Sequence, residues 1–162
     1  MSETIKTKLQ EWEIRLGTAQ TGHYIVCERY RRLHNVIGLS LVCLSTFVGA
    51  FIFFPETDSY VSTGLKVAGV LVAILAAIQT FIRPLDMCEL HRIKAIKYGV
   101  LKRQVEVFTC MPDFESKFPQ FSTELMTGWN AVSEDSPITP NSVRKKTKDI
   151  INNEIYKTAN KG

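Results

Sequence analysis

The sequence lacks the short motifs through which most enzymes bind phosphate, a metal or an acyl substrate. Its 162 residues contain no glycine-rich phosphate loop, no HExxH pair, no nucleophile elbow and no cluster of paired carboxylates. Basic residues are not interleaved with aromatic residues in one surface, so nucleic-acid binding is not indicated. The sequence therefore predicts a protein that is not an enzyme and that uses no cofactor.

Two stretches carry almost no charge, although the mean hydropathy of the whole chain is close to zero. Residues 36–54 carry no charge, and this run of 19 residues approaches the ~20 residues that a helix needs to cross ~30 Å of hydrocarbon. Residues 61–82 contain only Lys66, near one end, where its ammonium group can reach the membrane surface. The sequence predicts two transmembrane helices, at about residues 35–54 and 61–82.

Only a short turn, Pro55 to Ser59, separates the two predicted spans, so they must be antiparallel neighbours in a hairpin covering residues 35–82. The turn contains Glu56 and Asp58 and no basic residue, whereas six Lys and Arg precede the first span and thirteen follow the second. Because Lys and Arg concentrate in cytoplasmic segments, both termini are predicted to be cytoplasmic.

Both spans carry small or hydroxyl-bearing residues at helical spacing. In lipid, small residues allow two helices to approach closely. The polar residues among them either line a pore made by several hairpins or bond to carbonyl groups of their own helix. No ring of charged residues lies within the spans, which disfavours a charge-selective filter. The candidates for membrane packing or pore lining are Ser40, Ser45, Thr46, Gly49, Gly69, Ala73, Ala77, Gln79 and Thr80.

Residues 1–34 are predicted to form a cytoplasmic amphipathic helix. Its apolar side chains recur every three or four residues, which is the seam of a coiled coil, and this seam needs a partner, either the helix after the second span or another subunit. Gly17 and Gly22 predict a weak or kinked middle. The seam consists of Ile5, Leu9, Trp12, Leu16, Ala19, His23, Val26, Tyr30 and Leu33.

Three segments follow the second span. Residues 83–110 are predicted to be a cytoplasmic helix that begins after a kink at Arg83-Pro84 and carries a broad apolar stripe. Residues 111–138, in which prolines interrupt aromatic residues, are predicted to be a loop region. Residues 139–162 are predicted to form a C-terminal helix and tail that begin at Thr139-Pro140. The predicted fold class is thus an all-α membrane protein: a two-transmembrane hairpin with long cytoplasmic helices before and after it and a short C-terminal helix.

The four cysteines form no CxxC pair and, outside the spans, are expected to be reduced cytoplasmic thiols. One zinc site is conceivable from spacing, because His23 and Cys27 are four residues apart, Cys88 and His91 are three apart, and both pairs lie close to the predicted membrane boundary. His23, however, lies on the apolar seam, and cysteine is commonly buried as a small hydrophobic residue. The sequence therefore predicts no metal, with these four residues as the alternative.

The order of these segments resembles the SLATT family, two-transmembrane effector domains associated with bacterial nucleotide-signalling and other conflict systems. The likeness covers roughly residues 10 to 158 and rests on several short motifs taken together. The matching residues are Tyr30-Arg31-Arg32, Leu44-Ser45-Thr46 followed by Gly49, His91, Lys94-Ala95, Tyr98, Leu101 and Arg103 within residues 89–106, and Ser136-Pro137-Ile138-Thr139-Pro140.

The resemblance implies a pore-forming or membrane-disrupting effector of antiphage defence in the bacterial inner membrane. Such a protein is expected to form a homo-oligomer in the lipid bilayer and to be triggered by a separate sensor protein or nucleotide-signalling enzyme. The alternative function is a membrane anchor or scaffold that recruits a soluble partner through its cytoplasmic helices. A transporter accessory subunit is disfavoured, because no buried charge suggests a coupled ion or substrate.

Overall fold

The computed structural model describes the backbone of residues 2–52 and 58–159 and the side chains of residues 3–51 and 58–151. In this part of the chain all regular structure is helical, as predicted, and no strand occurs. The predicted turn lies outside the described residues except for Asp58 and Ser59. The helices are α1 (Ser2–Ile52), α2 (Ser59–Ile82), α3 (Pro84–Thr109), α4 (Phe114–Glu134) and α5 (Asn141–Ala159).

The chain divides into two compact units. Residues 1–27 and 89–162 form one, which we call the terminal unit, and residues 28–88 form the other, which we call the apolar unit. Helix α1 contributes residues to both units, and so does α3. Helices α4 and α5 belong to the terminal unit, and α2 belongs to the apolar unit.

The hydrophobic core of the terminal unit is built where the seam of α1 meets α3 and α4. The part of the seam from Ile5 to Ala19 therefore packs within the same chain, whereas Leu33 at its end is exposed. Aromatic pairs strengthen this packing, such as Trp12 stacked on Phe118 with ring centroids 5.8 Å apart. The buried core residues are Leu9, Trp12, Leu16, Tyr98, Leu101, Val105, Phe108, Leu125 and Val132.

The predicted apolar stripe of α3 is in fact two faces. Leu101, Val105 and Phe108 are among the residues buried in the core, whereas four other apolar residues lie on an exposed face of the helix. The residues of this exposed face are Ile93, Ile96, Val100 and Val107, whose relative solvent exposure is 40% to 60%. The sequence pattern could not separate the two faces, because apolar residues occupy more than half of the helix circumference here.

The prediction of a loop region over residues 111–138 is wrong, because α4 occupies most of this segment. Pro119 lies inside this helix, where it removes one backbone donor. The helix forms nonetheless because one continuous stripe of apolar residues packs on the core, and burial of that stripe outweighs the single lost bond. The stripe contains Phe114, Phe118, Phe121, Leu125, Trp129 and Val132.

Helix α1 continues without interruption through Gly17 and Gly22, where the sequence predicted a weak point. Both glycines are buried, and they allow α5 and the segment before it to come close. A Cβ atom on Gly22 would meet Thr139 Cγ2 at 3.6 Å and Thr147 Oγ1 at 3.7 Å. The glycines therefore serve close packing.

The space at Gly22 predicts a difference between two substitutions. Gly22→Ala adds a methyl group in ordinary van der Waals contact and should raise the free energy of unfolding by about 0.5–1 kcal/mol, since alanine favours the helix. Gly22→Leu should lower it by about 1–3 kcal/mol, because the larger side chain forces α5 away. Thermal unfolding of the full chain in detergent measures both changes in the free energy of unfolding. Equal effects of the two substitutions would contradict the close approach of α5 to Gly22.

Helix α2 ends at Ile82, and α3 begins two residues later at the buried Pro84. Between them Arg83 has φ 44° and ψ 62° and is the one non-glycine residue with positive φ in the described part of the chain. Its N–H donates to the Gln79 carbonyl, 3.3 Å away. The predicted kink at Arg83-Pro84 is therefore a complete break between two helices.

Candidate functional sites

The apolar unit leaves its hydrophobic side chains uncovered. Two helices of the described chain are long and apolar enough to cross a membrane, judged by length and composition. In their most apolar stretches only 6% and 0% of the residues are buried, whereas the core helix of a soluble protein would be mostly buried. A soluble monomer rarely exposes such a surface, so it requires lipid or another apolar partner.

The predicted packing or pore-lining residues lie on these two helices. Gly49 and Gly69 have open space where a Cβ would stand, with no described atom within 4 Å. The Ser45 hydroxyl donates to the Val42 carbonyl at 3.1 Å, and the Thr80 hydroxyl donates to the Ala76 carbonyl at 2.9 Å. Of the rest, Thr46, Ala73 and Ala77 are exposed, and Ser40 and Gln79 are half-buried. Two of the hydroxyl groups are thus satisfied within their own helix.

A buried polar cluster lies between α1 and α3 in the terminal unit. The Nδ1 atoms of His23 and His91 are 2.8 Å apart, so the Nδ1–H of one ring donates a hydrogen bond to the Nδ1 of the other. His23 also stacks on Tyr98, whose hydroxyl lies 3.3 Å from the hydroxyls of both Ser133 and Ser136. Residues 91, 94 and 98 share one face of α3 because three- and four-residue steps return to the same side of a helix.

Lys94 belongs to this cluster and is almost fully buried. Its Nζ lies 3.9 Å from an Asp135 carboxylate oxygen, which is well exposed to solvent. Burial, followed by the charges of His91 and Lys94, lowers the pKa of His23 to about 4. Burial also lowers the pKa of His91. Both imidazoles are therefore neutral at pH 7.

The lowered histidine pKa values predict that stability falls in mild acid. Between pH 6.5 and about 4 the unfolded chain binds protons that the folded chain does not, so the free energy of unfolding decreases as the pH falls through this range. His23 alone contributes about 2–3 kcal/mol to this loss. Unfolding of the detergent-solubilised chain at pH 7.5 and pH 5 measures it. His23→Gln should flatten the dependence, and an unchanged slope would contradict the buried neutral pair.

The four residues of the alternative zinc site do not assemble as metal ligands. Two nitrogens bound to one tetrahedral zinc at ~2.0–2.1 Å lie more than ~3.2 Å apart, whereas the Nδ1 atoms of His23 and His91 are 2.8 Å apart and joined by a hydrogen bond. Cys27 and Cys88 are each disulfide-bonded, whereas Cys43 and Cys110 are free. Among the described residues no group of three or more His, Cys, Asp or Glu side chains is placed to hold a metal.

The terminal unit also contains a cavity of about 650 Å³, open to solvent, between α1 and α5 and next to the polar cluster. His23 and Tyr98 reach its wall, and Trp129 forms part of the apolar lining. The Arg15 guanidinium lies over the Trp129 ring at 5.3 Å from its centroid. Two further cations, Arg144 and Lys148, line the α5 side, and no acidic side chain is among the lining residues that the structure describes.

The sequence did not predict this cavity, although the spacing of two of its basic residues was visible in the sequence. The i,i+4 spacing of Arg144 and Lys148 places them on one side of α5, but a basic run is usually a solvated helix face. Trp129 lies in the segment that was predicted to be a loop. No protein-family model, curated protein or solved structure matches this chain, so fold and sites rest on its own residues.

Proposed function

We propose that this protein crosses the bacterial inner membrane twice, as a hairpin of residues 35–54 and 61–82 with both termini in the cytoplasm. The observation that supports this most directly is the uncovered apolar surface of α2 and of the second half of α1. The one-sided distribution of Lys and Arg supports the orientation, since the turn between the spans has none.

In that membrane the protein acts as a SLATT-family effector of antiphage defence by abortive infection. A separate sensor protein or nucleotide-signalling enzyme triggers it, the chains oligomerise, and the assembled hairpins form a pore or otherwise disrupt the membrane. The family resemblance supports this function. The open faces at Gly49 and Gly69 are consistent with it, because a helix of a second chain can approach closely at glycine.

The continuity of α1 offers a physical route from trigger to membrane. This helix is unbroken from Ser2 to Ile52, and its first half is packed in the core of the terminal unit through Leu9, Trp12 and Leu16. A partner that displaces the first half therefore pulls on a helix whose second half lies in the bilayer. A stiff helix transmits such a displacement because each backbone hydrogen bond ties one turn to the next.

A potential-sensitive dye tests the effector function in cells that produce the protein together with the products of its neighbouring genes. After phage infection, the wild-type chain should collapse the membrane potential and stop growth. Gly69→Leu should abolish this effect by blocking close helix contact. Gly64→Leu is the matched control, because Gly64 also has open space and lies on the same helix, about 140° around its axis from Gly69. An unchanged membrane potential in infected wild-type cells would refute the effector function.

The exposed apolar face of α3 favours the alternative of an anchor or scaffold. Ile93, Ile96, Val100 and Val107 form a surface of the terminal unit on which a soluble partner can dock. Replacing both spans by an unrelated transmembrane hairpin separates the two functions. A scaffold keeps its activity after this replacement, whereas an effector loses it.

A further inference from the structure

We infer that the cavity of the terminal unit is a binding site for a small anion that carries a planar ring, of the size and chemistry of a nucleoside monophosphate. The inference is independent of the proposed membrane function, because it rests on the lining of this cavity alone. Its volume of about 650 Å³ lies within the range of ~300–1,000 Å³ that is usual for small-molecule sites.

The charge of the lining selects an anion. Arg15, Arg144 and Lys148 reach the cavity from two helices, and no acidic side chain is among the lining residues that are described. Neither Arg144 nor Lys148 has an ion-pair partner within the described part of the chain. Arg15 interacts with Glu11 at 3.5 Å, but that contact is long and exposed to solvent. These cations are thus available to bind a phosphate group.

The apolar part of the lining selects a ring. Ile14, Trp129 and Pro137 are among the residues that line the cavity, and the Tyr98 ring lines it as well. The Arg15 guanidinium lies over the Trp129 ring, and its outer face is a surface on which a nucleobase can stack. A phosphate without a ring would leave this wall in contact with water.

Two side chains of the polar cluster, His23 and Ser136, line the cavity and supply hydrogen-bonding groups to it. His23 lines the cavity and is neutral at pH 7, since burial lowers its pKa to about 4. The Ser136 hydroxyl, which donates to the Val132 carbonyl at 2.7 Å, retains acceptor capacity toward the cavity. These groups can recognise the edge of a base or a ribose hydroxyl, while the cations at the α5 side hold the phosphate.

Isothermal titration calorimetry on the full chain in detergent tests the site. The probes are the four ribonucleoside 5′-monophosphates, adenosine as a ring without phosphate, and glycerol 3-phosphate as a phosphate without a ring, which also represents a lipid head group. We expect at least one monophosphate to bind with a Kd below ~1 mM and both control probes to bind at least about tenfold more weakly.

Paired substitutions on α5 locate the binding. The double variant Arg144→Gln, Lys148→Gln removes two lining charges and should raise the Kd about 10- to 100-fold. The double variant Lys145→Gln, Lys146→Gln removes the same charge from exposed residues of the same helix that do not line the cavity, and it should leave the Kd within about twofold. All four side chains are exposed, so neither variant should unfold the protein.

Three results would overturn the inference. The first is the absence of binding by all four monophosphates. The second is equal binding of glycerol 3-phosphate, which would mean that the cavity takes any phosphate, including that of a lipid. The third is an equal loss of affinity in both double variants, which would mean that the overall charge of α5, and not the cavity, attracts the ligand.

Discussion

Arginine at two central positions of α2 is expected to keep the protein out of the membrane. In the double variant Leu71→Arg, Ile74→Arg both replaced side chains are exposed in the structure, at 47% and 49%. Each arginine near the middle of a span costs about 2.5–3.5 kcal/mol of insertion free energy, so the pair should cost ~6 kcal/mol. Membrane fractions washed with alkaline carbonate should retain the wild-type chain and lose most of the variant.

If α2 lay in water instead of lipid, the same two substitutions would have little effect. Substitution at an exposed site of a soluble protein changes stability by no more than about 0.5 kcal/mol. Tyr60→Arg, at the end of α2 and 92% exposed, serves as the control, because an arginine there reaches the membrane surface. Full membrane retention of the Leu71→Arg, Ile74→Arg chain would mean that α2 does not lie in lipid.

Aspartate in place of Val105 is expected to unfold much of the terminal unit. Val105 is completely buried in the core that α1, α3 and α4 share, and an unpaired charge there costs about 3–5 kcal/mol. That is a large part of the roughly 5–15 kcal/mol by which a typical domain is stable. Limited proteolysis of the detergent-solubilised protein should cut residues 89–162 rapidly in this variant and slowly in the wild type.

The same substitution two residues along α3 provides the control. Val107 is 60% exposed, so Val107→Asp should change the stability by less than about 0.5 kcal/mol. Because both variants introduce the same residue into the same helix, they differ only in the direction in which the side chain points. Equal sensitivity to protease would contradict the arrangement of the core.

Sequence patterns predicted the helical class, a helix over residues 61–82 and the start of α5 because each depends on local properties. Residues 61–82 are one long apolar run, and α2 covers them. Pro140 cannot donate a backbone hydrogen bond, so it marks a helix start, and α5 begins one residue later. The periodic seam of residues 1–34 likewise predicted which side of α1 is buried through Val26.

Features that depend on contacts between distant segments were not predicted. Proline at position 119 argued against a helix, and only its packing on the core explains why α4 forms. The exposed side of α3 and the direct contact between His23 and His91 likewise follow from how helices pack. Their positions in the sequence placed the two histidines near the same predicted membrane boundary. Position alone could not distinguish a hydrogen-bonded pair from a zinc site.

The sequence also did not predict the redox state of two of the cysteines. Cys27 and Cys88 were expected to be reduced, because the positive-inside bias assigned them to the cytoplasm, but each is disulfide-bonded. Disulfides are uncommon in a reducing cytoplasm. The side of the membrane on which the two ends of the chain lie is therefore the prediction that a direct measurement must decide.

That measurement is thiol labelling of intact and permeabilised spheroplasts with a membrane-impermeant maleimide. Asp58→Cys places a thiol in the predicted turn, and Lys146→Cys places one on an exposed position of α5. Labelling above that of the parent chain is expected for the turn variant in intact spheroplasts and for the α5 variant only after permeabilisation. Labelling of both variants in intact spheroplasts, or of the α5 variant alone, would contradict a two-span hairpin with cytoplasmic ends.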